Sequence, residues 1–426
     1  MTLTWFQIFR LGFVQMALGA IVVLTTSTLN RLMVVELSLP AILPGLLVGL
    51  HYGIQLTRPH WGFYSDTGGH RTRWIIGGML ALAFGAFMAA CALPIFPESF
   101  AMGLAVSIVA YTLIGLGVGA SGTSLLALLA TTTAPHRRAA AATITWLMMI
   151  FGIAATAGTV GQFIDPYSPA LLIKIVGIVV SIATLVTCIA VWRIERNLIA
   201  IREPDPTPFR QGLKEVWSER KARNFTIFVF LSMTAYFMQE LILEPYAGLV
   251  FGFTPGQSTS LSGAQNGGVF LGMLSVGILA TGLKIGALRN WVMTGCVGSA
   301  LALILITFLG PIGPSAPLVP AVVLLGFFNG MFAVAAIGSM MALAAQGAAR
   351  REGTRMGLWG AAQAIAAGFG GLVGAGMVDL LRFSMSDTQA FGIVFIAEAA
   401  LFIAAAAMAA KIMDRKMPSA TLVPGE

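Results

Sequence analysis

The residues best placed to do chemistry stand inside apolar runs. Gln239-Glu240-Leu-Ile-Leu-Glu244-Pro245-Tyr246 places two carboxylates four residues apart, on one face of a helix. A carboxylate in hydrocarbon is costly, so it is kept paired or functional. Counted from Asn224 at 1.5 Å per residue, Glu240 lies roughly 24 Å along its helix, in the outer half of the run. It is the first candidate for a ligand group or proton carrier. Glu244 lies closer to the outer headgroups, where a helix broken at Pro245 is an equally good account of it. Glu398, in the last apolar run, is a weaker candidate of the same kind. His51 falls near the middle of the second run. It could ligate a metal, although a core histidine more often hydrogen-bonds a neighbouring helix. His60, His70 and His136 lie in basic loops, where solvation is the simpler account.

These residues are positioned by membrane spans. The 426 residues are 57% apolar and 10% charged, with mean hydropathy +0.87. Soluble domains carry about 25% charge. Apolar runs of about 18 residues or more cross the bilayer as helices, and no alternating barrel pattern is present. Twelve spans are expected near 10–29, 41–63, 74–93, 100–130, 141–163, 170–192, 224–250, 260–282, 291–310, 318–346, 355–380 and 388–410. The first reads as a retained span rather than a cleaved signal. Cys91, Cys188 and Cys296 lie far apart in apolar runs. They offer neither a disulfide framework nor a zinc spacing.

With both termini cytoplasmic, all of the 25 basic residues except Arg31, Lys174 and Arg382 fall on the cytoplasmic side. The net charge of +8 is thus a positive-inside signal, and no nucleic-acid partner is needed to explain it. The expected organisation is a six-helix half over 1–192, a cytoplasmic linker over 193–223 and a second six-helix half over 224–426. In the linker, Phe209, Leu213, Val216 and Trp217 oppose Arg210, Lys214, Glu215 and Arg220, the pattern of a surface-lying helix. Displaced by half the chain length, Arg137 and Arg138 fall on Arg350 and Arg351, Trp146 on Trp359, and Gly158 and Gly161 on Gly371 and Gly374. The halves therefore read as a degenerate repeat.

The loop after the second span is Gly62-Phe-Tyr-Ser-Asp66-Thr-Gly-Gly69-His-Arg71. It resembles the major-facilitator signature G-x-x-x-D-x-x-G-x-R. Glycine permits close packing and a tight reversal, and Asp66 can accept from a helix N-terminus or pair with arginine. Asp66 is expected near the start of span eleven, around Arg355 to Gly357. An enzyme reading fares poorly. Asp66, Asp165, Asp205, Asp379, Asp387 and Asp414 never form the D-x-x-x-D site of a prenyltransferase, and no P-loop, GxSxG or HExxH occurs.

Further stretches are more specific. Arg10 to Gly19 and Thr28 to Glu36 resemble the start of the PucC/LhaA family. Gln239 to Tyr246 looks like its Q-[DE]-x-x-L-E-P-Y motif. Gly326-Phe-Phe-Asn329-Gly-Met-Phe and Gly353-Thr-Arg-Met-Gly-Leu-Trp359-Gly-Ala-Ala-Gln363 look like its tenth and eleventh spans. The resemblance covers nearly the whole chain. It implies an all-α integral membrane protein of the major-facilitator fold, in the photosynthetic inner membrane. The implied role is non-catalytic: binding or delivering bacteriochlorophyll, or a precursor, during pigment synthesis and antenna or photosystem assembly. The compact loop after Asp66 is shorter than in the antenna-assembly members and more similar to that of members known as 44 kDa-type bacteriochlorophyll synthase subunits. Partners would then be the catalytic synthase and antenna or reaction-centre polypeptides. Pigment-binding candidates are His51, Gln239, Glu240, Glu244, Tyr246, Asn329, Trp359 and Gln363, with His51 or Glu240 as a ligand of the pigment magnesium. No site for a resident metal is expected. The alternative is a proton-coupled transporter of a small solute, with Glu240 carrying the proton.

Overall fold

The computed structural model describes residues 3–58, 61, 70–134, 138–197, 217–283, 285–346 and 352–413. Twelve helices account for nearly all of them: α1 (Trp5–Glu36), α2 (Ile42–Thr57), α3 (Arg71–Ile95), α4 (Phe100–Thr132), α5 (Arg138–Phe163), α6 (Pro169–Val191), α7 (Arg220–Phe251), α8 (Pro255–Val276), α9 (Leu288–Leu309), α10 (Leu318–Gln346), α11 (Glu352–Arg382) and α12 (Asp387–Ile412). Eleven contain segments long and apolar enough to cross a membrane, and α2 is a shorter apolar helix at the place of the second expected span. The linker helix proposed from Phe209 to Arg220 lies outside the described residues, apart from Trp217 and Arg220.

Local chemistry sets the helix ends. Thr4 and Gln7 form a capping box at the start of α1, as do Ser386 and Gln389 at the start of α12, satisfying amides that would otherwise lack acceptors. Ser168 caps α6 ahead of Pro169, whose fixed φ suits a first helical position. Arg10 donates to the carbonyl oxygens of Ala190 (2.8 Å) and Ile189 (3.1 Å) at the end of α6. α1 is not uniform, since π-helical turns occupy Leu24–Thr28 and Leu32–Glu36. Such turns free backbone carbonyls from the regular ladder. The buried Tyr111 hydroxyl of α4 takes one up, donating to Thr25 O at 2.8 Å.

The helices form two compact units. The first lies within Met1–Glu203 and Glu240–Gly263, and the second within Pro204–Gln239 and Ala264–Glu426. α7 and α8 therefore each contribute to both. In the first unit α3 packs on α4 and α6; the second repeats this with α9 on α10 and α12, the pairing expected of a duplicated half. Close approach between α3 and α4 depends on Gly78. A Cβ there would lie 2.5 Å from Ser121 N and 2.8 Å from Gly117 O, so only glycine fits. Outward faces carry large apolar side chains such as Phe84, Leu185, Leu301 and Phe308, as lipid requires.

Candidate ligand-binding site

The first unit gathers a polar cluster around the end of α1. Arg31, which the charge distribution puts near the outer surface, is 2% exposed. Its guanidinium donates to Glu36 Oε1 at 2.5 Å and to Phe253 O at 2.8 Å. The Glu244 carboxyl is also 2% exposed. Arg31 and Ser262 face it, and both its oxygens are buried without a hydrogen bond of good geometry. Glu240, one turn earlier, is half-buried with the Thr26 hydroxyl facing it. Tyr246 is fully buried, edge-on to Phe251 at 5.1 Å between ring centroids.

The Glu240–Gly263 hairpin is fastened to this unit by further polar contacts. Asn30 donates to Leu241 O at 2.7 Å. Ser262 and Thr259 meet Ser27 and Thr28, each pair 3.4 Å apart. The Asp165 carboxylate accepts from the Gly256 amide at 3.1 Å and from the Thr254 hydroxyl. At the junction between α5 and α6, Tyr167 feels both Glu36 and Arg31. Its hydroxyl is pushed above the ordinary tyrosine pKa chiefly by burial, then by Glu36, with Arg31 opposing.

His51 lies elsewhere in the same unit, on α2, and is 2% exposed. Its Nε2 is 2.9 Å from Gln55 Nε2, while Gln55 Oε1 accepts from Arg58 Nη2. His51 Nδ1 has no partner. The packing of α4 fixes this point of α2: a Cβ on Gly115 would stand 2.8 Å from His51 O.

The second unit holds the other candidates. Asn329 is fully buried on α10 and its Oδ1 accepts from Ser299 Oγ of α9 at 2.7 Å, leaving Nδ2 unpartnered. Trp359 of α11 packs against Phe225 at 4.9 Å, and its indole N–H has no acceptor. Phe228, Phe332 and Phe402 extend that aromatic stack. Gln239 is buried with Oε1 unpartnered, and Gln363 is half-buried. Glu398 is fully buried and neither carboxyl oxygen has a partner.

Thus His51, Glu240, Glu244 and Tyr246 belong to one unit, and Gln239, Asn329, Trp359 and Gln363 to the other. Within the loop signature, Gly62, Asp66 and Gly69 lie outside the described residues, as do the side chains of Arg355 to Gly357. Arg71 is described. Its amide donates to Glu195 Oε1 at 3.0 Å and its Nη1 to Ala127 O at 2.8 Å. Glu195 also accepts from the Thr72 amide and hydroxyl, so a carboxylate caps the N-terminus of α3. Sequence reasoning did not offer Asn30, Gln55 or Arg58 as site residues, and it used Asp165 only in the aspartate spacing and Trp146, whose indole N–H is unpartnered, only in the repeat. The spacing His51, Gln55, Arg58 was a usable signal, because it runs along one helical face.

The PUCC protein family matches residues 28–417. The chain belongs to the PUCC family. It is 66% identical, over 97% of its length and 96% of the relative's, to the protein of Rhodobacter capsulatus named Bacteriochlorophyll synthase 44.5 kDa chain. Protein PucC of Cereibacter sphaeroides is 30% identical over 91% of the chain and 86% of that protein. Among solved structures, the peptide transporter POT in complex with alafosfalin superposes with TM-score 0.70 at 15% identity, over 95% of this chain and 94% of that one. A bacterial homologue of the human lysosomal transporter Spinster gives 0.70 over 96% of each. This PUCC chain therefore has the major-facilitator fold and is an integral membrane protein.

Proposed function

We propose that this protein binds bacteriochlorophyll or a precursor within the membrane and passes it to synthesis or assembly proteins without catalysing a reaction itself. The observation that carries this reading is the 66% identity to a relative named as a chain of bacteriochlorophyll synthase. The molecule's own chemistry supports it. His51, Asn329 and Trp359 are buried polar groups with unpartnered atoms, set among apolar helices. Unmade hydrogen bonds in such surroundings are costly, and the ring carbonyls, magnesium and ligating water of a tetrapyrrole can satisfy them. Phenylalanines and methionines, 27 and 21 in number, supply apolar walls for the macrocycle and its tail. The proposed location is the photosynthetic inner membrane, both termini cytoplasmic, with the catalytic synthase or antenna and reaction-centre polypeptides as partners.

Affinity purification from phototrophically grown cells tests the proposal. The chain should carry bacteriochlorin absorbance and bring down synthesis or assembly proteins. Colourless protein from pigment-replete cells would sink it. The second reading, a proton-coupled transporter of a small solute, draws on the fold shared with solved transporters and on a carboxyl, Glu240, within the apolar helix α7. Proton-driven uptake by pigment-free vesicles, abolished by Glu240→Gln, would establish that reading instead.

A further inference from the structure

The geometry points to His51 as a hydrogen-bond donor to a bound ligand, held in that role by Arg58 acting through Gln55. Arginine has only N–H groups and cannot accept. The Gln55 amide must therefore turn its oxygen to Arg58 Nη2, as it does, which leaves its NH2 group facing His51 Nε2 at 2.9 Å. The network, rather than a visible hydrogen, makes this assignment. An amide N–H needs a lone pair opposite it, so His51 Nε2 is the acceptor. A neutral imidazole then carries its proton on Nδ1, and Nδ1 is the atom that is buried without a partner.

The result is a donor without an acceptor in the core of the first unit, on a side chain 2% exposed. The same relay disfavours direct ligation of magnesium by the free nitrogen, because in this tautomer Nδ1 has no lone pair to give. Reversing the tautomer would set Nε2–H against the Gln55 NH2 group. Turning the amide to relieve that clash would set NH2 against Arg58. The matching ligand group is an acceptor oxygen at the rim of an apolar molecule. On the proposed function, on which this step rests, it is a ring carbonyl of the bacteriochlorin. Gln55 and Arg58 are positioning residues.

Two measurements test this. The first needs no pigment: 15N spectra of histidine-labelled protein in which the other three of the four histidines are replaced by Gln. Wild-type His51 should carry its proton on Nδ1. Gln55→Glu should move the proton to Nε2, because a carboxylate accepts from His51 and Arg58 alike. A wild-type proton on Nε2, or no change in Gln55→Glu, overturns the relay. The second compares binding of bacteriochlorophyll with that of magnesium-free bacteriopheophytin. His51→Leu should weaken both equally, by about tenfold, the order of one lost hydrogen bond. It should also raise the infrared stretching frequency of one ring carbonyl. Loss confined to the magnesium pigment would make His51 a metal ligand and refute the donor role. If wild-type protein bound neither pigment, the proposed function and the carbonyl acceptor would fall together, while the 15N result would still decide the tautomer.

Discussion

At the scale of single residues, the informative contrast is between Glu240 and Glu244. Depth counted along a helix ranks Glu240 first, yet protein packing buries Glu244 more completely. Burial by neighbouring helices is not depth in lipid, and nothing in the local sequence reveals that Arg31 will face Glu244. The pair is expected to be energetically coupled. Arg31→Leu should destabilise the protein by about 3–5 kcal/mol, because it strands a buried carboxylate. Glu244→Leu should cost less, since Arg31 keeps Glu36 and the Phe253 carbonyl. The double variant should recover about 1–3 kcal/mol of the summed loss. Thermal unfolding of the four proteins in detergent measures this, and strict additivity would mean that the two side chains do not interact. Glu240→Leu is expected to accumulate at near-normal levels but to carry less pigment, since an apolar side chain suits the span while losing the polar contact. Pigment content per protein decides it: an unchanged ratio would make Glu240 a bystander, and loss of the protein would make it structural.

Helix pairs set the next scale, and here adjacent glycines give an internal control. A Cβ on Gly78 meets the backbone of α4 at 2.5 Å, whereas a Cβ on Gly77 meets nothing within 4 Å. Gly78→Val should therefore force α3 and α4 apart, at a cost of about 1–3 kcal/mol or more, and Gly77→Val should be close to neutral. Membrane accumulation and detergent melting of the two variants test this, with equal behaviour as the refuting result. The spans themselves were legible because a bilayer leaves an unbroken apolar run few alternatives to helix. The Arg-Arg and Trp positions suggested a duplication, and the recurring pairing, α3 on α4 and α6 and α9 on α10 and α12, is the packing such a duplication would give. What the sequence hid is of two kinds. The π-helical turns of α1 depend on tertiary compensation such as the Tyr111 hydroxyl on Thr25 O. The fastening of the Glu240–Gly263 hairpin joins residues such as Asn30 and Leu241, 211 positions apart, which no local pattern encodes. The His51, Gln55 and Arg58 spacing was open to inspection, but its meaning came only with the direction of each hydrogen bond.

For the molecule as a whole, the question is where chemistry stops. Fusions of a periplasm-dependent reporter after Arg193 should be inactive and a cytoplasmic reporter there active, because the basic residues cluster on the ends joined by that segment. The opposite pattern would invert the molecule and move the Arg31 and Glu244 cluster to the cytoplasmic side. The name of the Rhodobacter capsulatus relative associates that protein with a synthase. Esterifying a bacteriochlorophyllide with a prenyl diphosphate needs a magnesium-diphosphate site, usually built from closely spaced aspartates on one helix face. The aspartates of this chain are scattered. Among those described, Asp165 is engaged by Thr254 and Gly256, and Asp379 and Asp387 lie beside Arg382. Asp165 and Asp387 stand at helix ends, in contacts that stabilise turns. Glu244, His51 and Glu398 are buried and lack the clustered oxygens that a diphosphate-bound cation requires. Purified alone, the chain should form no ester above a protein-free control when given bacteriochlorophyllide, prenyl diphosphate and magnesium. Added to membranes that contain the catalytic subunit but lack this chain, it should raise the yield of pigment or of assembled pigment-protein, and His51→Leu should blunt that rise. Turnover by the isolated polypeptide would overturn the accessory role and require an active site built from residues other than these.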